Sequence, residues 1–325
     1  METKRLFAAC KWLSVWAAAF LLSNSSSAQE TGNKGFVEFS LSYGSLNFIG
    51  DLGGNVGRGT TFIKDNNLAS AKPMVGLNLT YYPSQWLGMR LSANSGRVAG
   101  DDALIIGKGG PEEDRKLRNL NFRSPLQEIL LMAEIYPTAF FYFKNNNFAQ
   151  KFLPYGILGV GVFHFNPQGQ DLTTGQWYDL KPLHTEGQGF SEYPTRKEYK
   201  LTQMNMPMGF GFRYFVTDRL STSLEILLRT TKTDYIDDVS TTYIDPALFG
   251  KYLEPAQADL AQRMAFKGDP YGLGSTTASP GTQRGTPVNN DAYFSFGIKV
   301  SYRLGNILFD REPHAKSSTK CPKGL

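Results

Sequence analysis

The chain has 325 residues, 41% of them apolar and 13% aromatic, and a formal net charge of +5. Its mean hydropathy is −0.31, and after residue 28 no apolar run is long enough to cross a bilayer as a helix, so a helical membrane protein is excluded. The basic residues are scattered with no Lys/Arg-rich block, which argues against a nucleic-acid partner.

Lys4 and Arg5 precede an apolar run from Trp12 to Leu22, and a polar Ser23–Gln29 stretch follows. That order is a secretory signal peptide, with cleavage expected after Ala28. Residues 1–28 are therefore set apart from the fold. Cys10 falls within them, which leaves Cys321 as the one cysteine beyond, and a lone cysteine forms no internal disulfide.

From residue 36 on, apolar residues alternate with small or polar ones, the period of a two-faced strand. The first strand sets Val37, Phe39, Leu41 and Tyr43 against Glu38, Ser40 and Ser42. The second has Val75, Leu77, Leu79 and Tyr81 on its apolar face. After Pro83-Ser84-Gln85 the third sets Leu87, Met89, Leu91 and Ala93 against Arg90. Ile129, Leu131, Ala133 and Ile135 oppose Glu128 and Glu134 in the fourth. The fifth, 153–165, is glycine-rich, and its faces are harder to tell apart. Met204 to Val216 and Leu220 to Leu228 form a hairpin about Thr217-Asp218-Arg219, with Arg213, Glu225 and Arg229 on the other face. In the eighth, Phe294, Phe296, Ile298, Val300, Tyr302 and Leu304 oppose Lys299 and Arg303.

Eight strands is an even number, and their connections alternate in length: 44–72, 97–121, 166–201 and 233–290 are long, 83–85 and 217–219 short, and 137–152 intermediate. A sandwich has no reason to gather its long loops at one end; an outer-membrane barrel does. The expected fold is an all-β, eight-stranded antiparallel transmembrane barrel with long extracellular loops and short periplasmic turns, integral to the bacterial outer membrane, its partner the membrane lipid. An eight-stranded barrel is narrow enough for side chains to fill. The interior charges Glu38, Arg90, Glu128, Glu134, Arg213, Glu225, Arg229, Lys299 and Arg303 are then expected to pair into a plug, because an unpaired buried charge is costly. Arg213, Glu225 and Arg229 are expected in one ion-pair network, and a charge at Ser221 or Ser295 is expected to be milder than one at Phe212 or Phe296.

Motifs for chemistry are sparse. Gly159-Val160-Gly161 lacks a third glycine and a βαβ setting, and Gly107-Lys108-Gly109-Gly110 lacks the spacing of a phosphate loop; glycines that thin a crowded interior are the reading adopted for the former. His164 is the histidine to weigh for a lipid-modifying enzyme, but no Gly-x-Ser-x-Gly accompanies it. No catalytic residue, cofactor or metal is assigned. The carboxylates of 234–245 can take Ca²⁺ through oxygen ligands. Without an EF-hand's glycine and closing Glu, the stretch is taken as a solvated, turn-rich loop; Ca²⁺ binding stays open.

The same loop carries a resemblance. Thr233-Asp234-Tyr235-Ile236-Asp237-Asp238-Val239-Ser240-Thr241-Thr242-Tyr243, after Leu224 to Thr230, is its most specific part. With Tyr43 to Phe48, Gly50-Asp51-Leu52, Asn289 to Phe294 and Lys320-Cys321-Pro322, it resembles the PorG family, outer-membrane barrels of the type IX secretion system. The resemblance implies a non-enzymatic barrel that anchors or docks a periplasmic ring of lipoprotein and associated secretion subunits. It makes Asp234, Tyr235, Asp237, Asp238, Ser240 and Tyr243 a family loop, and Lys320, Cys321 and Pro322 a docking site. Residues 166–201 match nothing in that family. The expected division is a signal peptide at 1–28, the barrel at 29–309 and a periplasmic tail at 310–325, both termini periplasmic. The competing functions are a lipid-modifying enzyme and a barrel that binds through its loops.

Overall fold

The structure, a computed structural model, describes residues 35–53, 70–105, 112–140, 151–268 and 278–304. The signal-peptide residues 1–28, Gly107 to Gly110 and the tail with Lys320, Cys321 and Pro322 lie outside the described residues.

Ten strands follow in chain order: β1 (Phe36–Ile49), β2 (Lys72–Tyr82), β3 (Leu87–Asp101), β4 (Asn121–Ile135), β5 (Phe152–Phe165), β6 (Gln168–Gln170), β7 (Trp177–Asp179), β8 (Thr202–Phe215), β9 (Leu220–Thr231) and β10 (Ala292–Leu304). Their order is β3-β2-β1-β10-β9-β8-β5-β4, and β4 pairs back to β3. This closes an eight-stranded antiparallel barrel, with β6 and β7 a small hairpin appended to β4. Closure removes the edges that an open sheet would present, and it satisfies the backbone within lipid.

The alternation fixes which face is which. Along β2 the burial runs strictly in and out. Phe39, Leu41, Leu77, Leu91, Ile129, Leu158, Met204, Phe210, Ile226, Phe296 and Val300 all stand exposed on the outside. No charged side chain interrupts that belt among the described residues of β1–β4 and β8–β10 that line it. A contiguous apolar surface of this extent belongs against lipid and not water.

Following the pairings once round the barrel, Val37–Tyr81–Met89–Ala133–Leu158–Met208–Leu228–Phe294, the chain returns to β1 at Asn47, ten residues further on. That stagger tilts the strands. It also means that side chains meeting across the lumen come from distant positions in sequence. The one interruption in the β5–β8 ladder falls opposite Met206 and Pro207, while the register continues unchanged on both sides. Proline has no N–H to give, and the ladder lapses where it stands. The interior is as crowded as the glycines of β5 suggest: a Cβ on Gly161 would lie 2.3 Å from Leu130 Cδ2 and 2.4 Å from Asn205 Oδ1.

At one end the connections are short, as at 83–86 and 216–219. At the other, β1, β3 and β4 run on past the apolar belt, and the described parts of the long connections fold over the mouth as a cap. Helices α1 (Glu112–Arg118), α2 (Ala247–Tyr252) and α3 (Pro255–Ala265) lie in it. Helix α3 starts with proline in its first turn, where no intrahelical donor is needed. It buries Ala258, Ala261, Met264 and Ala265, one stripe at helical spacing, against Leu180, Leu183, Phe190, Ile244 and Phe249. A second apolar layer seats the cap on the barrel mouth: Leu46, Phe48, Val98, Phe122, Phe163 and Phe165 from the strands meet Leu52, Tyr199, Ile236 and Val239 from the connections.

Candidate functional site

Two regions hold the polar residues singled out by the sequence: the lumen and the cap. In the lumen Arg213, near the short-turn end, pairs with Glu38 across the barrel and donates to Tyr82 Oη at 2.8 Å. Arg303 lies at the same end, its guanidinium carbon 3.9 Å from the centre of the Phe36 ring. The middle tier joins Arg90 to Glu225 at 2.9 Å and to Glu134 at 3.0 Å, while Lys299 Nζ sits 2.8 Å from both carboxylates. Tyr155 and Tyr136 donate to these acids from the wall. Nearest the cap, Arg229 pairs with Glu128 at 2.7 Å, and Asn94, Asn205 and Tyr293 complete that carboxylate's bonds. A void of about 20 Å³ between Arg90, Glu225 and Arg229 holds no more than one water's worth of space. The lumen is a packed, charge-paired plug.

The single network expected of Arg213, Glu225 and Arg229 does not form. Arg213 bonds Glu38, Glu225 bonds Arg90 and Lys299, and Arg229 bonds Glu128. Adjacent strands put Arg213 opposite Ser223 and Glu225 opposite Gly211; with the strands tilted, Arg213, Glu225 and Arg229 find Glu38, Arg90 and Glu128 on strands across the lumen, and Glu225 also meets Lys299 on the adjacent β10. Which strands are neighbours was legible; which charges pair across a staggered barrel was not.

The cap corrects a second expectation. The 234–245 stretch is not a solvated loop: Ile236, Asp237, Asp238 and Val239 are wholly buried, and Tyr243 and Ser240 nearly so. Asp238, with φ of +65°, turns the chain sharply there. Its carboxylate takes the hydroxyls of Thr185 and of Tyr199, the latter at 2.7 Å, and Tyr235 stacks on Tyr199 at 4.8 Å. Asp237 accepts Leu52 N at 3.1 Å and Val239 N at 3.0 Å, an Asx turn tied to the exit of β1. Ser240 N donates to Glu186 at 2.9 Å, and Tyr243 packs edge-on against Phe266. Burial pushes Asp238 up to about 6, against the pull of Arg284 and the two hydroxyls.

Two arginine–carboxylate pairs and one arginine bonded to backbone carbonyls, all missed by sequence reasoning, hold the long connections together. Arg284 pairs with Glu186 at 2.8 Å and donates to Asp238 O at 2.6 Å. Arg118 pairs with Asp102 at 2.7 Å and donates to Asp51 O at 2.6 Å and to Arg284 O. Arg196 donates to Glu186 O and to Thr242 O. Arg284 reaches Glu186 and Arg196 reaches Thr242 in another connection, while Arg118 and Asp102 share one but stand 16 residues apart; no motif or period joins them, so nothing in the sequence marks them as pairs. His164 stands exposed on the outer wall, its Nδ1 3.0 Å from Thr202 Oγ1, and no carboxylate bonds it among the described residues.

A closed barrel with an apolar belt, a charge-paired lumen and a folded cap defines a transmembrane β-barrel of outer-membrane type. No protein-family model and no curated protein matches the chain. Among solved structures it is similar to Ail, the attachment invasion locus protein of Yersinia pestis, at 9% identity and a TM-score of 0.35, covering 83% of this chain and 99% of that one. It is similar also to Neisserial surface protein A (7%, TM-score 0.34, 82% and 97% covered) and to outer membrane protein W of E. coli (14%, TM-score 0.31, 82% and 97% covered). Likeness at this level is one of fold alone.

Proposed function

We propose that the chain is a non-enzymatic outer-membrane component of a type IX-like protein secretion machine, one that anchors or docks a periplasmic ring. The observation that carries this reading is the filled lumen. Arg90, Glu134, Glu225 and Lys299 occupy the bore with their charges satisfied by one another, so the barrel serves as a rigid anchor and not as a conduit. The resemblance of 233–243 to PorG supplies the machine. In this reading the short-turn end and both termini face the periplasm, the cap faces outward, and the ring lipoprotein and its associated subunits meet the barrel from the periplasmic side. Cross-linking in intact outer membranes followed by affinity purification of the barrel tests it. Ring lipoprotein and secretion subunits are the expected co-purifying partners; a barrel recovered with lipid alone, in cells whose secretion survives its deletion, would remove the proposal.

A second reading is favoured by the cap, which has an apolar core of its own and so presents a fixed surface in place of mobile loops. A loop-mediated binding barrel would lose its ligand when residues 166–201 are replaced by a short linker. The anchor would keep its periplasmic complex after the same change.

A further inference from the structure

Where β1 leaves the barrel and β10 enters it, four carboxylates are buried together: Asp51, Asp234, Asp237 and Asp291, with 5%, 8%, 0% and 0% of their surface exposed. The backbone fixes them in one neighbourhood. Asp291 N donates to Thr233 O at 2.9 Å, Ile236 N to Asp291 Oδ2 at 2.8 Å, Leu52 N to Asp237 Oδ2 at 3.1 Å and Thr286 N to Asp51 Oδ2 at 2.6 Å. Asp291 Oδ1 and both oxygens of Asp234 are left, buried with no donor in hydrogen-bonding geometry. Ser240 is a polar neighbour that eases the charge on Asp234.

The adjoining acids of the cap are treated differently. Glu186 has Arg284, Asp102 has Arg118, and Asp238 has two hydroxyls. Among the described residues none of the four clustered carboxylates forms an ion pair. Arg118, whose charge offsets Asp51 and Asp237, is bonded to Asp102. Burial first, and then the acids' repulsion of one another, raise the proton affinity of Asp237 and Asp291. A buried carboxylate with free oxygens and no countercharge is costly, and four in one place compound the cost.

We propose that Asp234 and Asp291 bind a divalent cation through their free oxygens, and that the cation is Ca²⁺. All the available donors are hard oxygens, which excludes the nitrogen- and sulfur-seeking metals. No three acidic, histidine or cysteine side chains among the described residues form a ready-made cage. The site is therefore a two-carboxylate one, with Asp51 and Asp237 adding charge, and with backbone carbonyls and water completing the shell. Ca²⁺ accepts such irregular sets of six to eight oxygens, whereas Mg²⁺ demands a near-ideal octahedron. The bound ion ties the exit of β1, the 233–245 connection and the entry of β10, so it fastens the cap to the barrel mouth. An affinity of roughly 0.1–1 mM, the range of extracellular sites, is expected.

The test uses the full chain folded in detergent micelles. Terbium luminescence sensitised by Tyr235 reads binding, displacement by Ca²⁺ or Mg²⁺ reads selectivity, and thermal unfolding of the cap in Ca²⁺ against EDTA reads the linkage. The wild type should bind terbium, release it to Ca²⁺ at least tenfold more readily than to Mg²⁺, and unfold at higher temperature with Ca²⁺. Asp234→Asn and Asp291→Asn should each weaken binding at least tenfold and abolish the thermal shift, while the heat-modifiable gel mobility of a folded barrel persists. Should Asp291→Asn fail to fold, Asp234→Asn decides alone, because among the described residues no backbone N–H depends on its carboxylate as Ile236 N depends on that of Asp291. The proposal is overturned if the wild type neither binds Ca²⁺ up to 10 mM, about ten times the weak end of that range, nor gains stability from it, or if Asp234→Asn responds to Ca²⁺ as the wild type does.

Discussion

At the scale of single residues the lumen and the cap make opposite demands on their acids. Glu134 is fully enclosed between Arg90 and Lys299 and also takes the hydroxyls of Tyr82 and Tyr136. Glu134→Gln leaves two cations to share Glu225, and it should destabilise the barrel by about 3–5 kcal/mol, the cost of breaking a buried pair from one side. Urea titration followed by the heat-modifiable gel shift measures this; a change under about 1 kcal/mol, the size of an exposed pair, would mean the network is solvated. Asp238 behaves in the reverse sense. Its folded pKa is raised, from 3.8 to about 6, so between those values the folded chain holds a proton that the unfolded chain has lost. The contribution of Asp238 to stability is therefore present below pH 3.8 and is lost as pH rises through 6. In EDTA the unfolding temperature of the cap should fall across that window, and Asp238→Asn should flatten the slope. These charges were legible as interior-facing from alternation alone. Their partners were not, because a partner across a tilted barrel is set by stagger and not by spacing.

At the scale of strands, the apolar positions define both the belt and its tolerance. Phe296, Ile226 and Phe210 form one row across β10, β9 and β8, near the middle of the belt, with Phe212 one outward position along. Phe296→Arg or Phe212→Arg puts a guanidinium against the lipid tails and should cost about 2–4 kcal/mol at the bilayer midplane. Folding yield into vesicles of defined composition measures it, and a yield equal to wild type would place the belt outside the membrane. On the inner face the sequence leads one to expect a milder effect, at Ser221 or Ser295. Ser221 Oγ accepts from Arg213 Nε at 3.1 Å and Ser295 Oγ from Arg229, so a basic residue at either meets a guanidinium at contact. The strands themselves were plain in the sequence because a period of two survives inside and outside the belt. Their ends were not: β1 runs on to Ile49, β3 to Asp101, and β4 starts at Asn121 before Pro125. Beyond the belt the outer face turns polar, with Ser95, Arg97 and Asp101 on β3 and Asn121 and Arg123 on β4, so the apolar alternation fades while the ladder continues. The cap was illegible for the same reason, its core being assembled from connections whose apolar residues follow no period.

At the scale of the whole molecule, the bore is filled by paired charges, and the tail is the route proposed for engaging a periplasmic partner. Cys321 stands in that tail between Lys320 and Pro322, with Lys316 and Lys323 close by. If both ends of an even-stranded barrel lie on the short-turn side, the tail enters the periplasm, a compartment that permits disulfides. An unpaired cysteine in a secreted chain suggests an intermolecular bond, and the lysines would steer it toward an acidic surface of the ring through long-range attraction. Non-reducing gels of outer membranes should then contain a larger species that reductant collapses to the monomer. Cys321→Ser should abolish it while the barrel keeps its heat-modifiable mobility, since the folded barrel is complete by Leu304. Replacing Lys316, Lys320 and Lys323 with glutamine should slow formation of the species without preventing it, and more so at low salt, where steering is strongest. A wild-type protein that runs only as a monomer without reductant, beside a Cys321→Ser strain that secretes normally, would confine docking to the barrel wall and the short turns.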